Sequence, residues 1–157
     1  MNIKLLCIGK TDNASLDELI TIYTKRLGFY VNFDMEIIPD LKKVKNLCEE
    51  QQKEKEGELI LNKISTQDQL ILLDEKGKEF NSIAFSEYLQ KKMNSGIKTL
   101  VLVIGGPYGF SPAVYAKAAG KISLSKMTFS HQMIRLFITE QLYRGYTILR
   151  NEPYHHQ

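Results

Sequence analysis

The apolar positions of this chain repeat with two alternating periods. Asn2–Ile8 (NIKLLCI) and Thr99–Ile104 (TLVLVI) are short, nearly unbroken apolar runs, and both read as buried strands. Val31–Ile38 places Val31, Phe33, Met35 and Ile37 at every second position, which predicts a strand ended by Pro39-Asp40. Gln69–Leu73 is a further buried strand with a turn at Asp74-Glu75-Lys76-Gly77-Lys78, and Lys121–Leu124 is a short one. Between them the spacing changes to three and four. Leu16, Leu19, Ile20, Tyr23 and Leu27 predict a helix over Ala14–Leu27. Leu47, Leu59, Ile60 and Ile64 predict one over Leu41–Ile64, with the charged run Glu49–Glu56 as its solvated face. Ser82 reads as the N-cap of a helix that runs to Asn94 and stops at Ser95-Gly96. Ser111-Pro112 opens a short helix ending at Gly120. Ser130–Leu149 is the last helix, and its stripe of Met133, Ile134, Phe137, Ile138, Leu142 and Leu149 needs a partner surface.

Strands that alternate with helices along the whole chain predict an α/β fold with a mostly parallel sheet flanked by helices. A length of 157 residues, without repeats or low-complexity linkers, fits one domain with a sizeable core.

Composition narrows the class. A hydrophobic fraction of 43% and a charged fraction of 25% are ordinary for a globular protein. The apolar runs fall far short of the ~18 residues that span a membrane, and Met1–Leu5 does not open a secretory leader. A cytoplasmic protein without membrane contact is expected. Two cysteines, Cys7 and Cys48, make neither a disulfide framework nor a metal site, so no metal is expected, and Cys7 reads as a small core residue. The net charge of +3 is unevenly placed. Residues 111–157 hold six Lys and Arg against two Glu, together with all three histidines. That basic segment points to an anionic partner, with nucleic acid as one candidate, although six cations also describe an ordinary solvated surface.

Candidate chemistry gathers in the last third. In α/β proteins ligands bind outside the carboxyl ends of the strands. The strand Thr99–Ile104 opens into Gly105-Gly106-Pro107-Tyr108-Gly109-Phe110. Glycine there permits close approach of a ligand to the backbone, or simply a tight turn. With Leu73 and the loop Leu124–Phe129, these strand ends outline a pocket whose backbone groups can read an adenine edge between apolar walls. Two nucleotide motifs are excluded. Gly9-Lys10-Thr11 lacks the first glycine of a P-loop, Lys4 standing in its place, and the glycines at 105, 106 and 109 do not form a dinucleotide fingerprint. His131 opens the final helix, in a capping or a catalytic role, and Glu140 and Arg144 are spaced to pair on one helix face. The tail Asn151–Gln157 keeps an aromatic ring and two imidazoles (Tyr154, His155, His156), groups suited to stacking on a base and to proton transfer.

Taken together, VIGGPYG at 103–109, LSKMTFSH at 124–131, EQLYR at 140–144 and PYH at 153–155 resemble the bacterial ribosomal RNA methyltransferases that act on N3 of a pseudouridine, within the SPOUT superfamily. IGK at 8–10 and YTKRL at 23–27 extend the resemblance over essentially the whole chain. It implies a single domain over residues 1–157 whose C-terminal segment forms a trefoil knot, an exception to the rule against knots. It implies S-adenosylmethionine as cofactor, held by Leu73, Gly105, Gly106, Leu124, Ser125, Lys126, Met127, Thr128 and Phe129. It implies a homodimer with the active site completed across the interface. The substrate implied is pseudouridine 1915 of the 23S rRNA, within the assembled ribosome. Arg144, Tyr154 and His155 are then expected at the target nucleotide with Glu140 orienting Arg144, and Glu140, His131 and His155 are the candidate bases. Three other readings stand beside this one: a SPOUT-type tRNA methyltransferase, a non-catalytic RNA- or ribosome-binding module, and an α/β regulator that binds ATP or NAD.

Overall fold

A computed structural model describes residues 1–41 and 47–155. Five strands form one sheet: β1 (Asn2–Ile8), β2 (Phe33–Ile38), β3 (Asp68–Glu79), β4 (Thr99–Ile104) and β5 (Gly120–Ser123). Their order is β2-β1-β4-β3-β5, and every neighbouring pair is parallel. Five helices alternate with them: α1 (Ala14–Leu27), α2 (Glu49–Leu61), α3 (Ser82–Asn94), α4 (Pro112–Lys117) and α5 (His131–Leu149).

The alternation of side chains along each strand divides the core in two. Ile3, Leu5, Cys7, Leu100, Leu102 and Ile104 face the layer that includes Leu27 of α1, Phe85 and Leu89 of α3, and Ile138 and Leu142 of α5. Leu6, Ile8, Leu70, Leu72, Val101 and Val103 face Ile60 of α2 and Val114 of α4. The central strands are therefore apolar on both faces, as a parallel sheet covered twice requires. Each such aliphatic side chain removed from water contributes about 1.5–3 kcal/mol before the entropy of ordering it is counted.

Caps fix the helix starts. The side chains of Asn13, Asn81, Ser111 and Ser130 accept hydrogen bonds from the backbone N–H groups of Leu16, Ala84, Val114 and Met133. The cap of α3 is thus Asn81 and not Ser82, because the asparagine carbonyl reaches the third N–H beyond it at 2.8 Å. The second helix is shorter than its apolar spacing predicts: it spans Glu49–Leu61, and residues 42–46 of the expected helix lie outside the described residues. The α4 helix ends at Lys117, and Gly120 already belongs to β5.

The turn expected at Asp74–Lys78 does not end β3. The strand continues to Glu79, leaves its register with β5 after Leu73 and pairs again at Lys78. Gly77 is needed there for contact and not for turning, since a β-carbon on it would lie 2.4 Å from the Ile122 carbonyl carbon.

The final helix crosses back over the sheet. Its first two turns are tied to the carboxyl end of β1: Gln132 Nε2 donates to the Lys10 carbonyl at 3.0 Å, and Arg135 Nη2 donates to the Ile8 carbonyl at 2.8 Å. Arg135 is fully buried, bonds Thr11 Oγ1 as well, and leaves its Nε without a partner among the described residues. Burial pushes the thiol of neighbouring Cys7 up to about 11, against the opposing charge of Arg135, so this cysteine is an inert core residue. Among the described residues no helix is long and apolar enough to cross a membrane.

Candidate active site

Leu73, in the middle of β3, lies level with the carboxyl ends of β4 and β5: it pairs with Ile104 on one side and Ile122 on the other. The irregular stretch of β3 after Leu73 and the loops that leave β4 and β5 enclose a cavity of about 400 Å³. Leu73, Ile104, Ile122 and Leu124 give it apolar walls, and Gly105-Gly106 presents bare backbone. Ser125, Met127, Thr128 and Phe129 close the third side, whereas Lys126 is not among the residues lining it. Ser125 orders this loop by accepting from the Met127 N–H at 2.9 Å, and its carbonyl accepts from Ser123 Oγ at 2.8 Å.

Three residues beyond the sequence expectation stand at this cavity. Tyr115 Oη donates to Asp74 Oδ2 at 2.5 Å, and both line the rim. Burial and then this bond push the Tyr115 hydroxyl up to about 12, so it remains a donor.

The other residue stands behind the wall. Glu56, expected on a solvated face, is only 3% exposed. A β-carbon on Gly106 would lie 2.2 Å from Glu56 Oε2. The missing side chain of Gly106 therefore points at Glu56 and not into the cavity. Gln52 Nε2 donates to Glu56 Oε1 at 2.8 Å, while Oε2 is buried without a partner among the described residues. Burial raises the Glu56 carboxyl above its ordinary value, the Gln52 bond opposes this, the Asp40 charge adds to it and His131 opposes it. One signal for this contact was present in the sequence. Gly57 is a glycine inside a helix, which marks close packing, and a β-carbon there would meet Ser111 Oγ at 2.3 Å.

A second group of side chains lies further along α5. Arg144 donates to Glu140 Oε1 from Nη2 at 2.6 Å and from Nε at 3.0 Å. Tyr154 Oη donates to the same oxygen at 3.0 Å and lies 3.4 Å from Tyr23 Oη, which the sequence reading did not single out as a site residue. The guanidinium of Arg144 covers the Tyr154 ring at 4.6 Å, and its Nη1 faces His155 Nδ1 at 3.4 Å. Glu140 Oε2 accepts from Gln141. The bond to Glu140 raises the already high Arg144 pKa, and burial followed by the bonds to Tyr23 and Glu140 raises that of Tyr154. A bond between Tyr30 and Glu152 fastens the tail just before this cluster.

Glu140, Arg144, Tyr154 and His155 are thus brought together, and His131 is not with them. It starts α5, lines the first cavity, and lies nine residues from Glu140, or about 13 Å of helix rise. A second cavity of about 340 Å³ joins the two regions. It shares Ile122–Ser125 and Phe129 with the first, and it reaches Glu140 and Gln141 between walls that include Phe80, Phe85 and Phe137. His156, the other tail imidazole, lies outside the described residues.

Comparison with known proteins follows the same outline. A family model described as "Predicted SPOUT methyltransferase" matches residues 1–155. Proteins named ribosomal RNA large subunit methyltransferase H are similar over the full length of both chains: 76% identical in Flavobacterium johnsoniae, 75% in Flavobacterium psychrophilum and 54% in Porphyromonas gingivalis. The solved structure of a probable methylase family protein from Haemophilus influenzae matches at a TM-score of 0.54 and 11% identity, over 96% of this chain and 66% of that one, a likeness of fold. With a parallel sheet whose strand ends carry the glycine loop and the 124–129 loop, and a family match over residues 1–155, the chain belongs to the SPOUT methyltransferase family.

Proposed function

We propose that this protein uses S-adenosylmethionine to methylate N3 of a pseudouridine in large-subunit ribosomal RNA, at the position equivalent to 1915 of the 23S rRNA, on assembled ribosomes in the cytoplasm. The observation that carries this reading is the shared wall. A cavity of cofactor size opens, across Ile122–Ser125 and Phe129, onto a second cavity bordered by Glu140 of the Arg144 cluster. The full-length likeness to the large subunit methyltransferases H supports the choice of RNA.

The residues present fit the cofactor. Bare backbone at Gly105-Gly106, apolar walls, and the 124–129 loop suit an adenine edge and its faces. Leu73, Gly105, Gly106, Leu124, Ser125, Met127, Thr128 and Phe129 would hold it. When bound, S-adenosylmethionine supplies a methyl group already activated on its sulfonium.

The chain's own work is then alignment and stabilisation of charge. The imide N3–H of the target must lose its proton before it attacks. Glu140 does not serve as base, because its Oε1 accepts three hydrogen bonds and its Oε2 a fourth. Its role is to orient Arg144. His155 Nδ1 faces Arg144 Nη1, which leaves the Nε2 edge of the ring as the one open to a substrate. Arg144 and His155 therefore present positive charge and N–H groups to the developing imide anion, and the proton leaves to water. Tyr154 acts as the strut beneath the guanidinium, with one ring face already covered.

The homodimer belongs to the same proposal. Leu19 and Ile22 on α1, Phe29 after it and Met133 on α5 are exposed apolar side chains that a second copy would cover, with Phe29 at 82% exposure. A C-terminal trefoil knot, formed as residues 124–130 carry the chain from β5 back to α5, agrees with the anchoring of that helix on the end of β1. Calorimetry with S-adenosylmethionine, followed by label transfer to ribosomes lacking the modification, tests the reading. Binding without transfer to any RNA contradicts the enzyme assignment, and transfer to free tRNA alone contradicts the substrate.

A further inference from the structure

Consecutive residues of α2 grip both ends of the loop that follows β4. Glu56 packs beneath Gly106, and Gly57 packs against Ser111. Gly106 lines the cavity, so the Glu56 carboxylate stands one backbone thickness behind the cavity wall. It is 3% exposed, and among the described residues one of its oxygens has no hydrogen-bond partner and no cation forms an ion pair with it. A buried carboxylate left in this state costs stability. A fold keeps such a cost where the charge does something in return.

We propose that Glu56 is a specificity-determining residue of the cofactor site, whose buried carboxylate makes the cavity prefer the positively charged methyl donor over its neutral-sulfur product. The inference rests on the reading of the cavity as the S-adenosylmethionine site. S-adenosylmethionine carries one more positive charge than S-adenosylhomocysteine, because transfer of the methyl group turns the sulfonium into a neutral thioether. A field from behind the wall acts through protein and not through water, so it is weakly screened. The donor therefore gains from Glu56 and the product does not, which also favours release of product after each turnover. The rim carboxylates do not duplicate this role, since Glu75 is exposed and its field is screened by water. Asp74 is already engaged by Tyr115 and by the Lys76 N–H. Among the described residues, the titratable groups that face Glu56 from other elements are Asp40, which follows β2, and His131 of α5.

The test is the affinity of the full-length protein for S-adenosylmethionine and for S-adenosylhomocysteine, measured by calorimetry. Glu56→Gln is compared with wild type and with Glu54→Gln, an exposed neighbour on the same helix. Glu56→Gln is expected to weaken the donor about tenfold and the product by less than about twofold, with Glu54→Gln preserving the wild-type ratio. Without ligand, the same variant is expected to melt higher, because the uncompensated charge is gone. Equal weakening of both ligands, or an unchanged ratio, overturns the proposal and leaves Glu56 a packing residue. Wild-type protein that binds neither ligand would instead overturn the cofactor reading. If Glu56→Gln does not fold, the wild-type ratio is followed against pH in parallel with His131→Asn. A donor preference that grows with pH in both proteins supports the proposal, and a flat ratio overturns it.

Discussion

Arg144 reaches a single oxygen of Glu140 twice, from Nη2 at 2.6 Å and from Nε at 3.0 Å, and Tyr154 donates to that same oxygen. The pair is one helical turn apart and half-buried, with side-chain exposures of 25% and 16%. A bidentate guanidinium held in this way has its remaining Nη1 aimed toward His155. A lysine carries the charge but not the fork. Arg144→Lys is therefore expected to reduce turnover about 10²–10³-fold while leaving cofactor affinity unchanged. Kinetics beside calorimetry would show it, and a loss confined to cofactor binding would place Arg144 elsewhere.

Removing residues 153–157 takes away Tyr154 and His155 but keeps the bond between Tyr30 and Glu152. The shortened protein is expected to fold, to bind cofactor as before, and to lose most of its turnover. Full activity in the truncated chain would mean that the cluster on α5 suffices without the tail.

Gly106→Val drives a side chain into Glu56, whose Oε2 stands 2.2 Å from the β-carbon position. The loop must shift, and cofactor affinity is expected to fall by about tenfold or more with the dimer intact. Glu56→Ala in the same protein makes room, so the double variant should lose less than the two single losses combined, a coupling that a double-mutant cycle measures. Additive effects would mean that the two residues do not touch in solution.

The raised pKa of Glu56 gives stability a pH dependence with a definite sign. Since the folded state favours the neutral carboxyl, that contribution is complete below the ordinary carboxylate range and disappears as pH rises through the raised value. Asp40 and His131 face the same carboxyl and shape the midpoint. Glu56→Gln should melt nearly together with wild type near about pH 4 and above it near about pH 7. Parallel melting curves across that range would show that Glu56 is well solvated.

Much of the fold is legible because the two periods seldom conflict. The bounds of β1, β4 and α1 follow from their apolar spacing alone. Asp74–Lys78 misled because a polar run with glycine has the composition of a turn. Its glycine exists for the close passage of Ile122, which only the paired strand reveals. The charge density of α2 hid Glu56, since a carboxylate in an acidic run looks solvated until a neighbouring loop covers it. Arg135 was unmarked for the same reason: its place beneath the end of β1 depends on how α5 returns across the sheet. The strand-end cavity could be drawn in advance from Leu73, Gly105-Gly106 and the 124–129 loop. The meeting of Glu140 and Arg144 with Tyr154 and His155 follows from a tail that folds back, which no local pattern encodes.

The most direct measurement is methyl transfer from labelled S-adenosylmethionine to ribosomes lacking the modification, with free 23S rRNA and tRNA alongside and the product mapped by mass spectrometry. The account predicts label on N3 of one pseudouridine in assembled ribosomes, lost in Arg144→Lys. Label on tRNA alone, or none despite cofactor binding, would contradict it.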